Sequence, residues 1–518
     1  MNQEKNLKAV IDIGATAARL VIAETDGDKS LRSLEFLEQN VNLGRDVFSS
    51  GKIGRETIES CVKVCRDFSE MLREYRISDP SAIRAVATSA VAEASNTDVF
   101  LDRIFMATGI SIDVLDTAAI TRLIYSGILP LLQAEPLLRK GNLLVIEVGG
   151  GNTSAIGLRD GTVLFAHTYR FGSFRTHEML EDVHLPAARF RDLTENEIRS
   201  GIRPIIENFS GEKEVRILVL GGDARLAADR IKPGWNKKLS TTLRLSALER
   251  FTDEVLEIQS EELVREYGLS FSAADSLGPA LLVIQNLAKM LHCNTVHIGS
   301  STMRDGLLRE MAAGGVWDER FIKQIIHSAT ETGRHYRFDQ NHAENVAANA
   351  RIMFRVMQSE HKMLPRYETV LAVAALLHDV GTFISNRSHH KHSGYLIQHS
   401  DIFGLSKHDL TIAALTARYH RKATPKSTHS DYTALSRIDR LRVSKLAAIL
   451  RTADALDRGH TQRIRNPKIE LLPDRLQIGV SNPGACAVEE IALKEKSDLF
   501  EQVYGKRVVL TKSRSKQK

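Results

Sequence analysis

Two short segments of this chain each set an acidic residue against a glycine turn. Residues 10–22 read VIDIGATAARLVI and residues 142–158 read NLLVIEVGGGNTSAIGL, so an apolar run carries one carboxylate, Asp12 or Glu147, just ahead of the turn. Phosphate groups need several backbone N–H donors converging on one point, and only a turn free of Cβ obstruction lets the chain come that close. A carboxylate at the mouth of such a turn could hold a hydrated Mg²⁺ or orient an attacking water. One glycine triplet alone marks only a tight hairpin. Two matched hairpins, with a further pair at Gly221 and Gly222, favour phosphate binding. The candidate phosphate contacts are Gly14, Ala15 and Thr16 in the first loop and Gly149, Gly150, Gly151, Asn152 and Thr153 in the second, with Asp12 and Glu147 as catalytic carboxylates.

A second set of chemically competent residues lies in the last third of the chain. LAVAALLHDVGTFI puts His378 and Asp379 at the end of an apolar helix, with His342 upstream in NHAENVAANARIMF and Asp454 downstream in ILRTADALDRG. Neutral imidazoles and carboxylates on separate helices facing a common axis can bind one or two divalent metals, lowering the pKa of a bound water. A lone His-Asp pair is equally well a helix end. The ordered set His342, His378, Asp379, Asp454 points to metal, a divalent transition metal being the candidate. His392, in HHKHS, and His420, in TARYHRK, are candidates for a second metal or a phosphate contact. Arg418, Arg421 and Lys422 form either a basic lip for a polyanion or a solvated helix end.

The elements that must position these residues follow a pattern. Each hairpin opens a stretch of α/β alternation, with helices expected near 55–75 and 98–106 and a strand over 82–90. Glycine strands follow at ILVLGGDARLAA from Ile217 and TVHIGSSTMRDGLL from Thr295. The repeat predicts a duplicated α/β domain with a cleft between the copies. After Trp317 helix-period segments rich in Ala, Leu, His and Arg take over, and strand-like alternation returns at IELLPDRLQIGV from about Lys468, before a final helix expected near 492–503. The expected domains are 1–125 and 126–315 for the two halves, 316–465 for an all-α domain and 466–518 for a small α+β segment ending in a basic tail.

At 518 residues the chain is long enough for several cores, and 43% hydrophobic with 26% charged residues suits a soluble protein. No run of eighteen apolar residues suggests a membrane span. The start, MNQEKNLKAVIDIG, lacks the features of a signal peptide, so a cytoplasmic location is expected. Cys61, Cys65, Cys293 and Cys486 lack the CxxC spacing of redox or zinc motifs and read as reduced and structural. The net charge of +6 suits an anionic substrate without choosing among polyphosphate, nucleotide and nucleic acid. The terminal TKSRSKQK reads as a basic tail, with no specific nucleic-acid binding expected.

VIDIGATAARLVI resembles the first phosphate loop, and IEVGGGNTS the second, of the exopolyphosphatase and guanosine pentaphosphate phosphatase (Ppx/GppA) family. That family belongs with the acetate and sugar kinases, heat-shock ATPases and actin. The likeness continues through VNLGRDVFSSGKIG, AVATSAVAEASN, TRLIYSGI and RFGSFR, and covers nearly the whole chain. It implies actin-like, ribonuclease H-like halves, Mg²⁺ held by Asp12 and Glu147, a homodimer, and release of terminal phosphate from polyphosphate or guanosine pentaphosphate. The last third resembles an HD phosphohydrolase domain, in which His342, His378, Asp379 and Asp454 would be metal ligands. Departures accompany the matches. Where the family carries EEAR, whose glutamate activates water, this chain has Ala119, Ile120, Thr121 and Arg122. The family's aspartate and final glutamate in DIGGGSTE become Glu147 and Ser154, its DIGSNS becomes Asp12 to Ala17 with fewer hydroxyls, and its arginine in ATSALR is Ala92. Proton removal contributes roughly 10² to 10⁴ in rate, so loss of the base slows such a hydrolysis without forbidding it; Glu147 could substitute, and Asp116 lies near in sequence. The alternatives are a nucleotide phosphohydrolase working in the HD-type domain and a regulator that binds polyphosphate or nucleotide without chemistry.

Overall fold

A computed structural model of the chain describes residues 6–25, 31–181, 187–209, 214–313, 317–480 and 486–512. The last six residues of the basic tail, and the first five of the chain, lie outside them. The chain divides into two units, Met1–Val316 and Trp317–Lys518.

The first unit contains two mixed sheets. One is built from β1 (Asn6–Ile13), β2 (Ala17–Thr25), β3 (Leu31–Asn40), β4 (Ile83–Ala87) and β5 (Ile112–Val114), in the order β3-β2-β1-β4-β5. The other is built from β6 (Asn142–Val148), β7 (Thr153–Arg159), β8 (Thr162–Tyr169), β9 (Val215–Leu220), β10 (Thr241–Arg244) and β11 (Thr295–Ile298), in the order β10-β11-β9-β6-β7-β8. Matching β1 to β6, β2 to β7, β3 to β8, β4 to β9 and β5 to β11 gives the same order. It also gives the same directions, an antiparallel three-strand meander flanked by parallel strands. β10 is an extra antiparallel edge strand. Strands β1 and β6 sit centrally and are covered on both faces, which is why AVI, residues 9–11, and LLVI read as unbroken apolar runs. Asp12 and Glu147 are each the penultimate residue of their central strand, so both carboxylates emerge at the carboxyl ends where ligands bind in open α/β sheets.

Two local expectations need correction. The strand predicted over 82–90 stops at Ala87, and Ser89–Glu93 is a short helix. There is no β-branched residue between Thr88 and Val91 to keep that alanine-rich stretch extended. The final helix predicted near 492–503 is two helices, Ala487–Lys496 and Asp498–Tyr504, broken at Ser497.

The second unit begins with helices Glu319–His335, Gln340–Val356, Arg366–Leu377, His389–Gln398, Lys407–Arg418 and Arg437–Ala455. Helix Arg366–Leu377 is buried on every side from Thr369 onward, as the apolar run from Val370 requires. A small sheet of β12 (Lys468–Leu471), β13 (Arg475–Val480) and β14 (Arg507–Lys512) follows, with β13 and β14 parallel. The parallel pair needs a crossover, which the last two helices provide. All four cysteines are free. Among the described residues no single helix is long and apolar enough to cross a membrane.

Candidate active site and candidate metal centre

The two hairpin turns close in the same way. Gly14 N–H donates to Ala17 O at 3.0 Å, and Gly149 N–H donates to Asn152 O at 2.9 Å. Neighbouring segments then take up the outward carbonyls. In the first turn Ala15 O and Thr16 O accept from Gly44 and Val41 at 2.8 and 2.9 Å. In the second, Gly149 O and Gly150 O accept from the backbone of Ser173 and Arg175 at 3.0 and 2.9 Å, while Gly151 O accepts from Arg175 Nε at 2.9 Å. In a trans peptide the carbonyl and the following N–H point in opposite directions. Tying back these carbonyls therefore aims the N–H groups of Gly150, Gly151 and Asn152 away from the supporting segment.

Within the glycine triplet the steric demand is strongest at one position. A Cβ on Gly151 would lie 2.6 Å from the Phe48 ring and from Ser89 Oγ. Gly172, in the supporting segment, is just as constrained, since a Cβ there would sit 2.5 Å from Gly150 O. Gly150 lies against the methyl groups of Ala15 and Thr16, which brings the two loops side by side. The Ala15 side chain is packed in this contact, so only its main chain remains for a ligand.

Charge gathers at the same place. Arg304, from helix Met303–Ala312, donates to Asp12 Oδ2 at 2.7 Å, and both side chains are nearly buried. Arg19 faces Asp12 across the hairpin register and donates to Glu38 at 2.9 Å. Burial pushes the Glu147 carboxyl above its ordinary pKa; Arg304 opposes this, the Asp12 charge reinforces it, and Arg225 and Arg19 oppose it further. Asp12 and Glu147 therefore share one electrostatic environment. Asp223 joins it: burial raises its pKa to about 6, against the pull of Arg225 and Arg19. Burial, with Arg304 close by, lowers the pKa of Arg225. Arg225 Nη1, Asn152 Oδ1 and Thr153 Oγ1 are buried without hydrogen-bond partners. Buried polar atoms left this way are costly and call for a polar partner.

The segment replacing EEAR presents no carboxylate to this cleft. Asp116 caps helix Thr117–Ala134, its Oδ1 accepting from Ala119 N–H at 2.8 Å. The Thr121 hydroxyl bonds back to Thr117 O at 3.1 Å, and Arg122 is paired with Glu310. Asp116 is thereby committed to its cap. Sequence reasoning missed Arg19, Arg225, Arg304 and Asp223, although GGDAR and TMRDG lay in glycine strands already singled out.

In the second unit the predicted ligands converge. His378 follows the buried helix Arg366–Leu377, His342 lies in the first turn of Gln340–Val356, Asp454 near the end of Arg437–Ala455, and His420 just past Lys407–Arg418. Asp454 Oδ1 lies 3.7 Å from His342 Nε2 and 3.8 Å from His378 Nε2. Asp379 lies 3.6 Å from His378 Nε2 through Oδ2 and, through Oδ1, 3.1 Å from His389 Nε2 and 3.4 Å from His420 Nε2. His392 is not in this convergence, and His389 takes the position expected of it. Both stand on helix His389–Gln398, about one turn apart on neighbouring positions of one face, and it is the ring in the first turn that reaches Asp379.

The outer nitrogens are fixed. His378 Nδ1 and His420 Nδ1 bond the carbonyls of Ala375 and Ala417, each at 2.7 Å, and His342 Nδ1 bonds Asp457 Oδ2 at 2.9 Å. For His378 and His420 a carbonyl can only accept, so the Nε2 lone pairs face inward, the tautomer a metal needs. Although burial works the other way, Asp457, Asp454 and Asp379 hold the His342 pKa above its usual value. Burial and His378 push that of His420 down to about 3. Against burial, His378, His389 and His420 hold the Asp379 pKa well below the carboxylate range. His342 Nε2, His378 Nε2 and Asp379 Oδ1 are buried with no hydrogen-bond partner, and His342, His378 and Asp454 place ligand atoms within 4.8 Å of one another. Unpartnered lone pairs of nitrogen and carboxylate oxygen fit a divalent metal.

Mixed sheets of matched order, each opening on a glycine turn, define the first unit as an actin-like ATPase fold, and the exopolyphosphatase of Cytophaga hutchinsonii shares it. Its crystal structure aligns with a TM-score of 0.54 at 21% identity, over 60% of this chain and 100% of its own. The chain belongs to the Ppx/GppA phosphatase family, whose model matches residues 20–313, with the model for Ppx/GppA phosphatase domain III matching 326–498. Among its relatives, the guanosine-5'-triphosphate,3'-diphosphate pyrophosphatase of Photobacterium profundum is 23% identical over 86% of both chains. That of Vibrio parahaemolyticus is 24% identical over 95% of this chain and 97% of its own.

Proposed function

We propose that this chain hydrolyses phosphoanhydrides in the cleft between the two hairpin turns, releasing terminal phosphate from inorganic polyphosphate or guanosine pentaphosphate. The observation that carries this reading is the meeting of Asp12, Glu147 and Asp223 with Arg19, Arg225 and Arg304 around two turns that present backbone N–H groups. The turn amides and Arg225 bind the phosphoryl oxygens and balance the charge that spreads over them as the bond breaks. Water attacks the terminal phosphorus, the anhydride P–O bond breaks, and the shortened chain leaves as the anion. Asp223, with its pKa about 6, accepts the water's proton in place of the family's missing glutamate. Asp12 and Glu147 fit the demand of Mg²⁺ for one or two carboxylates beside substrate phosphate. Bound there, Mg²⁺ would neutralise phosphoryl charge.

The unpartnered imidazole and carboxylate lone pairs support a second reading, that the C-terminal unit is an HD-type domain whose His342, His378, Asp379 and Asp454 hold a divalent transition metal. Phosphate release from polyphosphate and guanosine pentaphosphate tests the two readings together. Activity that survives Asp379→Ala and collapses in Glu147→Gln supports the cleft; the reverse pattern moves the chemistry to the C-terminal unit.

A further inference from the structure

The crossover of the small sheet delivers a cation to the C-terminal site. Lys496, the last residue of helix Ala487–Lys496, donates from Nζ to Asp454 Oδ2, while Asp454 Oδ1 faces the Nε2 atoms of His342 and His378 at 3.7 and 3.8 Å. Its side chain is only 12% exposed. Its main chain is anchored as well, since its carbonyl accepts from Arg451 Nε at 3.1 Å. Arg451, itself buried, also donates to Asp498 at 2.8 Å and to the carbonyls of Tyr419 and Lys422, each at 3.3 Å.

Holding a lysine this way costs rotamer freedom and hydration, so one carboxylate edge offering itself to an ion while the other holds a fixed ammonium is an arrangement with a price. On the far side of the cluster Arg421 Nη1 lies 3.3 Å from His389 Nε2. A divalent ion with Lys496 and Arg421 meets three carboxylates, Asp379, Asp454 and the Asp457 bonded to His342, which leaves a positive charge in excess, the field an oxyanion seeks.

We propose that Lys496 is a phosphate-contacting residue of this site, a fixed ammonium that opposes the metal ion and favours a phosphoryl oxyanion beside it. The proposal rests on the reading of the C-terminal unit as a metal-binding domain. Two like charges sharing one carboxylate repel appreciably even at the effective dielectric of a protein. Removing the ammonium therefore moves the two affinities in opposite directions, whereas a lysine that only props up Asp454 would, when removed, weaken both.

The test is calorimetry on the full chain, titrating first Mn²⁺ and then inorganic phosphate into the Mn²⁺-loaded protein. Lys496→Met is expected to tighten Mn²⁺ about 10-fold or more and to weaken phosphate by a similar factor, with Lys496→Arg returning both toward wild type. Lys496→Gln repeats the measurement should the methionine variant fold poorly. Weakened Mn²⁺ binding, or unchanged phosphate binding, in a folded variant overturns the proposal and leaves the metal reading standing. A wild type that binds no Mn²⁺, or a His378→Ala variant that binds it as wild type does, overturns both.

Discussion

In the front cleft the acids stand among arginines. Arg304 holds Asp12, and Arg225 and Arg19 act on both Glu147 and Asp223. In the C-terminal unit imidazole lone pairs face inward, and His342 Nε2 and His378 Nε2 have no hydrogen-bond partner. On the readings proposed above, an anion completes Arg225 and the turn amides in one site, and a cation completes the imidazole lone pairs in the other. Two phosphate-handling chemistries can thus stand in one chain without sharing a residue, one resting on main-chain donors and guanidinium groups, the other on imidazole and carboxylate.

Substitutions that exchange these properties test the contrast, and the largest effect is expected at Glu147. Glu147→Gln should lower the rate of phosphate release about 10²- to 10⁴-fold while leaving the transition-metal content of the purified protein unchanged. Asp379→Ala should do the opposite, removing the metal and sparing release. Elemental analysis beside a phosphate assay reads both; a single variant that loses both properties would break the separation.

Arg304→Met leaves Asp12 as a buried carboxylate without its partner. Breaking a buried pair costs about 3 to 5 kcal/mol. Denaturant unfolding should therefore show a loss of that order, together with weakened binding of tripolyphosphate. A smaller loss, about 1 to 3 kcal/mol, is expected for Gly172→Ala, whose Cβ would meet Gly150 O at 2.5 Å. It should be accompanied by reduced phosphate release, because the second turn is displaced.

Asp223 gives the most specific signature. With a pKa of about 6, it should make phosphate release rise through pH 6 as the carboxyl ionises, and Asp223→Asn should flatten that limb. The stability effect has the opposite sense. A carboxyl whose folded pKa lies above its unfolded value near 4 binds more protons in the folded state between those pH values. Its contribution to stability is therefore lost as pH rises through that window, and Asp223→Asn should melt higher than wild type at pH 7 and no higher at pH 4.

Much of this was legible in local sequence. Hairpins, their carboxylates and the His…His-Asp…Asp order are short-range patterns, and burial of AVI and LLVI on both sheet faces makes them stand out. Residues brought in by topology were harder to see. Arg304 lies 292 residues from Asp12, and Lys496 lies 42 from Asp454. Nothing in spacing announces either partner. The choice of His389 over His392 depends on which turn of the helix lies beside Asp379, and Asp116, near the right place in sequence, is spent on a helix cap, which only its bond to Ala119 N–H makes plain.

The most direct test of the cleft is the position of the ligand itself. In crystals grown with a thio-substituted tripolyphosphate, the anomalous sulfur signal should lie between the turns at 14–17 and 149–152, within hydrogen-bonding reach of Arg225. A signal confined to the His378 and Asp454 cluster, with the turns left free of ligand, would contradict the account.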